Sequence, residues 1–184
     1  MLVKNKTIVV CGVGPGLGRE VAEAALRDGA NVVLAARRTE ALELHAKSLD
    51  PSGQRVLANA TDVSDEEQCG ALMNAAVARF GSIDAVVLVA AYDKVFGGLE
   101  AASAEDVAKA FALNVTGALH VARAAVPRLE ASGGGSIVLI GTQAMWHPPM
   151  MPQLAYAASK GGLLSAMYHL VKELGPKKIR VNMV

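Results

Sequence analysis

Apolar runs of strand length alternate with longer amphipathic stretches along the whole chain, and that alternation restricts the fold more than any other feature. TIVVC (7–11), NVVLA (31–35), RVLA (55–58), AVVLVA (85–90), SIVLI (136–140) and IRVNM (179–183) read as strands. They are runs rather than alternations, the pattern of strands covered on both faces of a parallel sheet. Segments 16–28, 39–49, 65–80, 103–131 and 154–174 read as helices. Ser64 before DEEQ, with Glu67 three residues on, reads as a capping box, and Ser103 with Asp106 matches it. Gly29, Gly81 and Gly175 fall where helices should stop. The pattern predicts one α/β domain over 1–184, doubly wound, with a parallel sheet ordered 3-2-1-4-5-6. Ligands of such sheets bind beyond the carboxyl ends of the strands, where the winding reverses between strands 1 and 4.

Composition narrows the function. With 184 residues, 52% of them hydrophobic, the chain can bury one substantial core. A net charge of +1, from 18 basic and 17 acidic residues, lacks the basic footprint of a nucleic-acid binder. The longest apolar stretches, such as AVVLVAAY (85–92), are too short to cross a bilayer. The first residues lack the apolar region and cleavage site of a signal peptide. A cytoplasmic protein with no membrane partner is therefore expected. Cys11 and Cys69, in separate predicted elements, read as small buried hydrophobes rather than a disulfide. His45, His120 and His169 lie in helical segments without ligand spacing, so no metal site is expected.

The first strand runs into CGVGPGLGRE (11–20), and a helix begins within it. Gly12, Gly14, Gly16 and Gly18 allow a tight turn and a close backbone approach to a pyrophosphate, while the helix N-terminus offers free N–H groups and a positive dipole end. A plain strand-to-helix turn needs fewer glycines, so dinucleotide binding is the better reading. NAD-binding folds place a carboxylate at the end of strand 2 for the adenosine ribose. Here that point holds Ala36, followed by Arg37 and Arg38. Guanidinium groups suit a 2′-phosphate, so NADP(H) is favoured over NAD(H). Asp62, after the third strand, reads equally as an adenine-end residue or a turn residue.

YAASK (156–160) sets Tyr156 and Lys160 on one helix face, at i and i+4. Such a pair is either an ordinary surface pairing or a tuned acid. A free tyrosine titrates near about 10. An ammonium about 4 Å away, at an effective dielectric near 20, favours the phenolate by at most about 4 kcal/mol. That corresponds to a fall of roughly two or three pKa units, into the range of a general acid/base. Ala157, Ala158 and Ser159 between them leave room for a cofactor ribose.

Taken together, GVGPGLG (12–18), Asp62-Val63, LNVTG (113–117), GGSIVLIGT (134–142) and YAASKGGL (156–163) resemble the motifs of the short-chain dehydrogenase/reductase family of the classical type. The resemblance covers nearly the whole chain. It implies a Rossmann fold, a nicotinamide cofactor and hydride transfer to or from a small-molecule carbonyl or alcohol. It also implies a cofactor set of Gly12, Gly14, Gly16, Leu17, Gly18, Arg37, Arg38, Asp62, Val63 and Ala90, completed by Tyr156 and Lys160. Tyr156 matches the family's catalytic acid/base, and Lys160 the lysine that lowers its pKa and holds the nicotinamide ribose. Asn114 matches the asparagine of a water-linked proton path. Family members commonly dimerise or tetramerise through helices equivalent to 103–131 and 154–174, so a homodimer or homotetramer is expected.

The chain departs from the family pattern in places. Cys11 replaces a threonine, and LVAA (88–91) replaces N-N-A-G, losing asparagines that brace the cofactor site, though Ala90 stays small. Thr142 stands where the family has serine. Its hydroxyl can still polarise a carbonyl oxygen if it points inward; the alternative is a packed strand-end residue and an impaired site. The loop QAMWHPPMMPQL (143–154) suggests an apolar substrate wall, or a subunit contact. The family's seventh strand and substrate-covering segment are expected to be absent from 1–184. Two functions follow: an NADP(H)-dependent oxidoreductase, or a catalytically silent dinucleotide-binding or interaction protein of the same fold.

Overall fold

The computed structural model describes residues 2–184. Six parallel strands form one sheet: β1 (Thr7–Cys11), β2 (Asn31–Ala36), β3 (Val56–Ala60), β4 (Ala85–Leu88), β5 (Gly135–Leu139) and β6 (Ile179–Met183). Their spatial order is 3-2-1-4-5-6, as the strand–helix alternation predicts. The helices are α1 (Leu17–Arg27), α2 (Thr39–Leu49), α3 (Glu66–Phe80), α4 (Ala104–Phe111), α5 (Ala118–Ala131) and α6 (Leu154–Leu174). β1 lies between β2 and β4, so its carboxyl end opens onto the point where the winding reverses.

The pleat sends successive side chains of β1 to opposite faces, and each face has its own core. Val9 and Cys11 pack with Leu72, Ile137 and Leu163 on one side. Ile8 and Val10 pack with Ala22, Leu34 and Leu42 on the other. A continuous apolar strand is what two covered faces require.

Several local expectations are corrected. The N-cap of α3 is Asp65, which accepts from the amides of Glu67 and Gln68 at 2.9 and 3.1 Å. Ser64 instead donates its amide and hydroxyl to Asp62, at 3.0 and 2.7 Å, so no Ser64–Glu67 capping box forms. Ser103 does cap α4, accepting from the Asp106 amide at 3.1 Å. Gly81 closes α3 in the left-handed region. Gly175 does not close α6 that way: its φ of −54° continues into a short 3₁₀ turn, and Lys178 takes the left-handed conformation at φ 58°. β4 ends at Leu88 rather than 90, because the amides of Val89 and Ala90 both turn to the Cys11 carbonyl, each at 2.8 Å.

The segment read as one helix over 103–131 is α4 and α5 joined through a π-helical turn, Ala112–Gly117. A π turn moves side chains off the ordinary helical register. Here it buries Asn114, which is 1% exposed. Gly117 closes the turn against Val63, whose Cγ2 would lie 3.1 Å from an added Cβ.

Candidate functional site

The carboxyl ends of β1 and β4 border a cleft of about 430 Å³. Of the residues expected to meet a cofactor, Gly12, Gly14, Arg37, Asp62, Val63 and Ala90 line it. The loop between β1 and α1 is tied down at its start, where the amides of Gly12 and Val13 both donate to the Ala35 carbonyl, at 2.8 and 3.1 Å. Gly12 has φ 105°, and a Cβ there would lie 2.2 Å from the Ala90 nitrogen. Any side chain would drive apart the crossing of the two strand ends. A Cβ on Gly18 would meet the Gly12 carbonyl oxygen at 2.3 Å, so Gly18 lets α1 seat against the loop. These two glycines serve the fold.

Gly14 and Gly16 differ: an added Cβ on either meets nothing within 4 Å. The protein itself gains nothing from their bareness, whereas a ligand that must approach the backbone would. Gly16 begins α1 without a side-chain cap; the Arg19 amide turns back to the Gly16 carbonyl at 3.0 Å, which leaves the Leu17 and Gly18 amides to an outside acceptor. Leu17, the first helical residue, is half exposed beside them. The residues present therefore fit the pyrophosphate of a dinucleotide.

At the end of β2, Arg37 and Arg38 are exposed. A second recess of about 560 Å³ opens there, sharing Val13, Gly14, Ala36 and Arg37 with the cleft. Arg38 lines only this recess, together with His45 and Lys94. Asp62 forms a turn and also borders the cleft. Its carboxylate accepts from Ser64 in a turn, which holds its pKa below the usual range, and the residue also lines the cleft.

Around α6 a second group of predicted residues meets. Tyr156 is half buried, and burial pushes its phenol pKa up. The Thr142 side chain, a hydrogen-bond partner for that phenol, pulls it down, and the Asp93 carboxylate pushes it up. The lowering expected from Lys160 is not found. Its Nζ donates to the Ile140 carbonyl at 2.7 Å and sits 5.8 Å from the centroid of the Tyr156 ring. Lys160 is 1% exposed, and burial brings its own pKa down to about 8, with Asp93 opposing. The physical reason is competition: a buried ammonium needs an acceptor, and a carbonyl at the end of β5 supplies one.

The Thr142 hydroxyl thus faces Tyr156, while its oxygen also accepts from the Ala144 amide at 3.2 Å. Asn114 does not stand free as a relay. Its side chain accepts from the Tyr92 amide at 2.6 Å and donates to the Tyr92 carbonyl at 3.1 Å and the Ser159 hydroxyl at 2.9 Å. Ser159 in turn donates to the Tyr156 carbonyl at 2.7 Å and is fully buried. Asn114 therefore clamps the segment after β4 onto the first turns of α6. That clamp, with the two amides on Cys11, holds the segment after β4 in place. The π turn that aims Asn114 has no signature in side-chain periodicity.

Beside Thr142 lies a largely apolar groove of about 870 Å³ that includes Met145, Trp146, Met167, Tyr168 and Met183. Only the first part of the expected substrate loop reaches it; Met150 and Met151 are exposed elsewhere. Asp93, not foreseen in the sequence, lines the cleft and acts on both Tyr156 and Lys160. Cys11 and Cys69 are both buried free thiols whose pKa values burial raises, that of Cys69 to about 11. Among the described residues no cluster is placed to hold a metal ion, and no helix is long and apolar enough to cross a membrane.

Residues 6–184 match the family model described as short chain dehydrogenase. Dehydrogenase/reductase SDR family member 4 of Sus scrofa is 32% identical over 181 residues, covering 98% of this chain and 64% of that protein. The chain thus spans just under two thirds of that relative. Among solved structures, L-sorbose reductase from Gluconobacter frateurii, complexed with NADPH and L-sorbose, is similar at a TM-score of 0.90 and 30% identity, over 98% of this chain and 68% of that one. NAD⁺-bound xylitol dehydrogenase is similar at a TM-score of 0.91 and 29% identity, over 98% and 69%.

Proposed function

We propose that this chain, which belongs to the short chain dehydrogenase family, is an oxidoreductase that transfers a hydride between NADP(H) and a carbonyl or alcohol substrate, with Tyr156 as its acid/base. The observation that carries this reading is the convergence of Tyr156, Thr142 and Lys160 at the end of β5, beside a cleft whose glycine loop leaves the backbone open to a ligand at Gly14 and, where α1 begins, at Gly16.

The nicotinamide ring, when bound, supplies or accepts the hydride. Thr142 donates a hydrogen bond to the substrate oxygen and polarises it. Tyr156, kept protonated at neutral pH by burial, gives its proton to the same oxygen. A phenol held in that state suits carbonyl reduction better than alcohol oxidation. Lys160 uses one of its three donors on Ile140, and the others are available to ribose hydroxyls. Asn114 positions this set through Ser159 and Tyr92. The groove of Met145, Trp146 and Met167 favours an apolar substrate.

NADP(H) is preferred to NAD(H) on the chemistry of Arg37 and Arg38, since similar structures carry either cofactor. The protein acts on a small molecule in the cytoplasm, with no nucleic-acid or membrane partner. It assembles as a homodimer or homotetramer through α5 and α6, whose outer faces border a groove of about 350 Å³. The test is oxidation of NADPH and of NADH by a panel of ketones and aldehydes. Turnover preferring NADPH supports the reading.

One observation favours a second reading, a catalytically silent dinucleotide-binding or interaction protein. The Tyr156 phenol is made less acidic, not more. Under that reading NADPH binds and no carbonyl turns over.

A further inference from the structure

Neighbouring residues of the segment after β4 reach different ends of the cleft. Asp93 lines the main cleft, where its charge acts on Tyr156 and Lys160. Lys94, the next residue, lines the recess at the end of β2. That recess has two walls. Arg37 and Arg38 come from the strand–helix connection and His45 from nearly two turns into α2; Lys94 comes from the segment after β4. No carboxylate lines it, and among the described residues Arg37, Arg38 and Lys94 make no ion pair. The amino end of α2 starts at Arg38 without a side-chain cap and adds its positive dipole end.

Cations left without partners around a concave site, beside a helix start, form a receptor for a doubly charged anion. The site adjoins the glycine loop, since Gly14 lines both the recess and the cleft where the pyrophosphate fits, and it lies at the end of β2, so the anion is one carried at the adenosine end of the same molecule. We propose that Lys94 is a specificity-determining residue, gripping the adenosine 2′-phosphate from the wall opposite Arg37 and Arg38. The inference rests on the NADP(H) reading above and adds to it a residue outside the β2–α2 connection. It also places the phosphate end and the reacting end on one piece of chain, since Asp93 and Lys94 are neighbours.

Binding of 2′,5′-ADP and of 5′-AMP, measured by calorimetry on the whole chain, tests this without catalysis. The wild type should prefer 2′,5′-ADP. Lys94→Ala should cut that preference about fivefold while leaving 5′-AMP affinity unchanged, and Lys94→Arg should keep it. If Lys94→Ala retains the full preference while Arg37→Ala/Arg38→Ala loses it, Lys94 has no such role although the cofactor reading stands. If the wild type shows no preference, both fall. A loss of affinity for both probes alike would mean that Lys94 only supports the loop, which also overturns the proposal.

Discussion

The Lys160 ammonium is bonded to the Ile140 carbonyl at 2.7 Å, while the Tyr156 ring lies beside it with its centroid 5.8 Å away. One helical turn brings the two side chains to one face, but the end of β5 decides where the charge points. Lys160 therefore holds its place through the strand end, and its effect on the phenol is left to whatever ligand reorients it.

The pH dependence of activity should follow Lys160. Its pKa is brought down to about 8, so the ammonium is intact below that pH and lost above it. NADPH binding should weaken as pH rises through about 8, and kcat/KM should fall with it. In Lys160→Arg, whose guanidinium stays charged, the same limb should move above pH 10. A limb unmoved in that variant assigns the titration elsewhere.

Stability carries the same signature with the opposite slope. In the unfolded chain Lys160 titrates near 10.5, in the folded chain near 8. Between those values the unfolded chain holds one more proton, so stability rises with pH. The cost of burying the charge is complete below pH 8 and gone by about 10.5, a change of about 3 kcal/mol at most. Denaturant unfolding of wild type and Lys160→Met, at pH 7 and 10, should show the gap between them closing by 2–3 kcal/mol in favour of the wild type. A constant gap contradicts the burial of a charged lysine.

The glycines should separate by role. Gly12→Ala and Gly18→Ala should destabilise the fold by roughly 2–4 kcal/mol or prevent it, since each added methyl strikes backbone. Gly14→Ala should leave the thermal midpoint within about 2 °C and weaken NADPH binding tenfold or more. Differential scanning fluorimetry beside cofactor titration reads both. Gly14→Ala with unchanged binding would show that the loop does not meet the pyrophosphate.

Thr142 should behave as a hydroxyl and not as a packed methyl. Thr142→Ser should keep activity within about fivefold, and Thr142→Val, of the same shape, should lower kcat by about 10²–10³ with KM little changed. Equal loss in both variants would make Thr142 a packing residue.

Much of this was readable from periodicity and from small-residue motifs. The strands came through because both faces of each are buried, and the end of α3 and the start of α4 because Gly81 and Ser103 act there as their residue types suggest. What the chain conceals is competition between neighbours. Asp65 and Ser64 both suit an N-cap, and only the turn at Asp62 decides between them. Asn114 sits on a π turn whose extra residue leaves no trace in the pattern. Asp93 and Lys94 lie in a connection with no motif, and their relevance comes from being carried back over the cleft. The Tyr156–Lys160 spacing was correct as geometry and misleading as electrostatics, because the Ile140 carbonyl is remote in sequence.

The most direct measurement is NADPH consumption with a reactive ketone in wild type and Tyr156→Phe, alongside NADPH binding by nicotinamide fluorescence. The expected result is a 10²–10⁴-fold lower rate in Tyr156→Phe with cofactor affinity within about twofold of wild type. Equal rates in the two proteins, with NADPH bound in both, would contradict the assignment of Tyr156 as the proton donor.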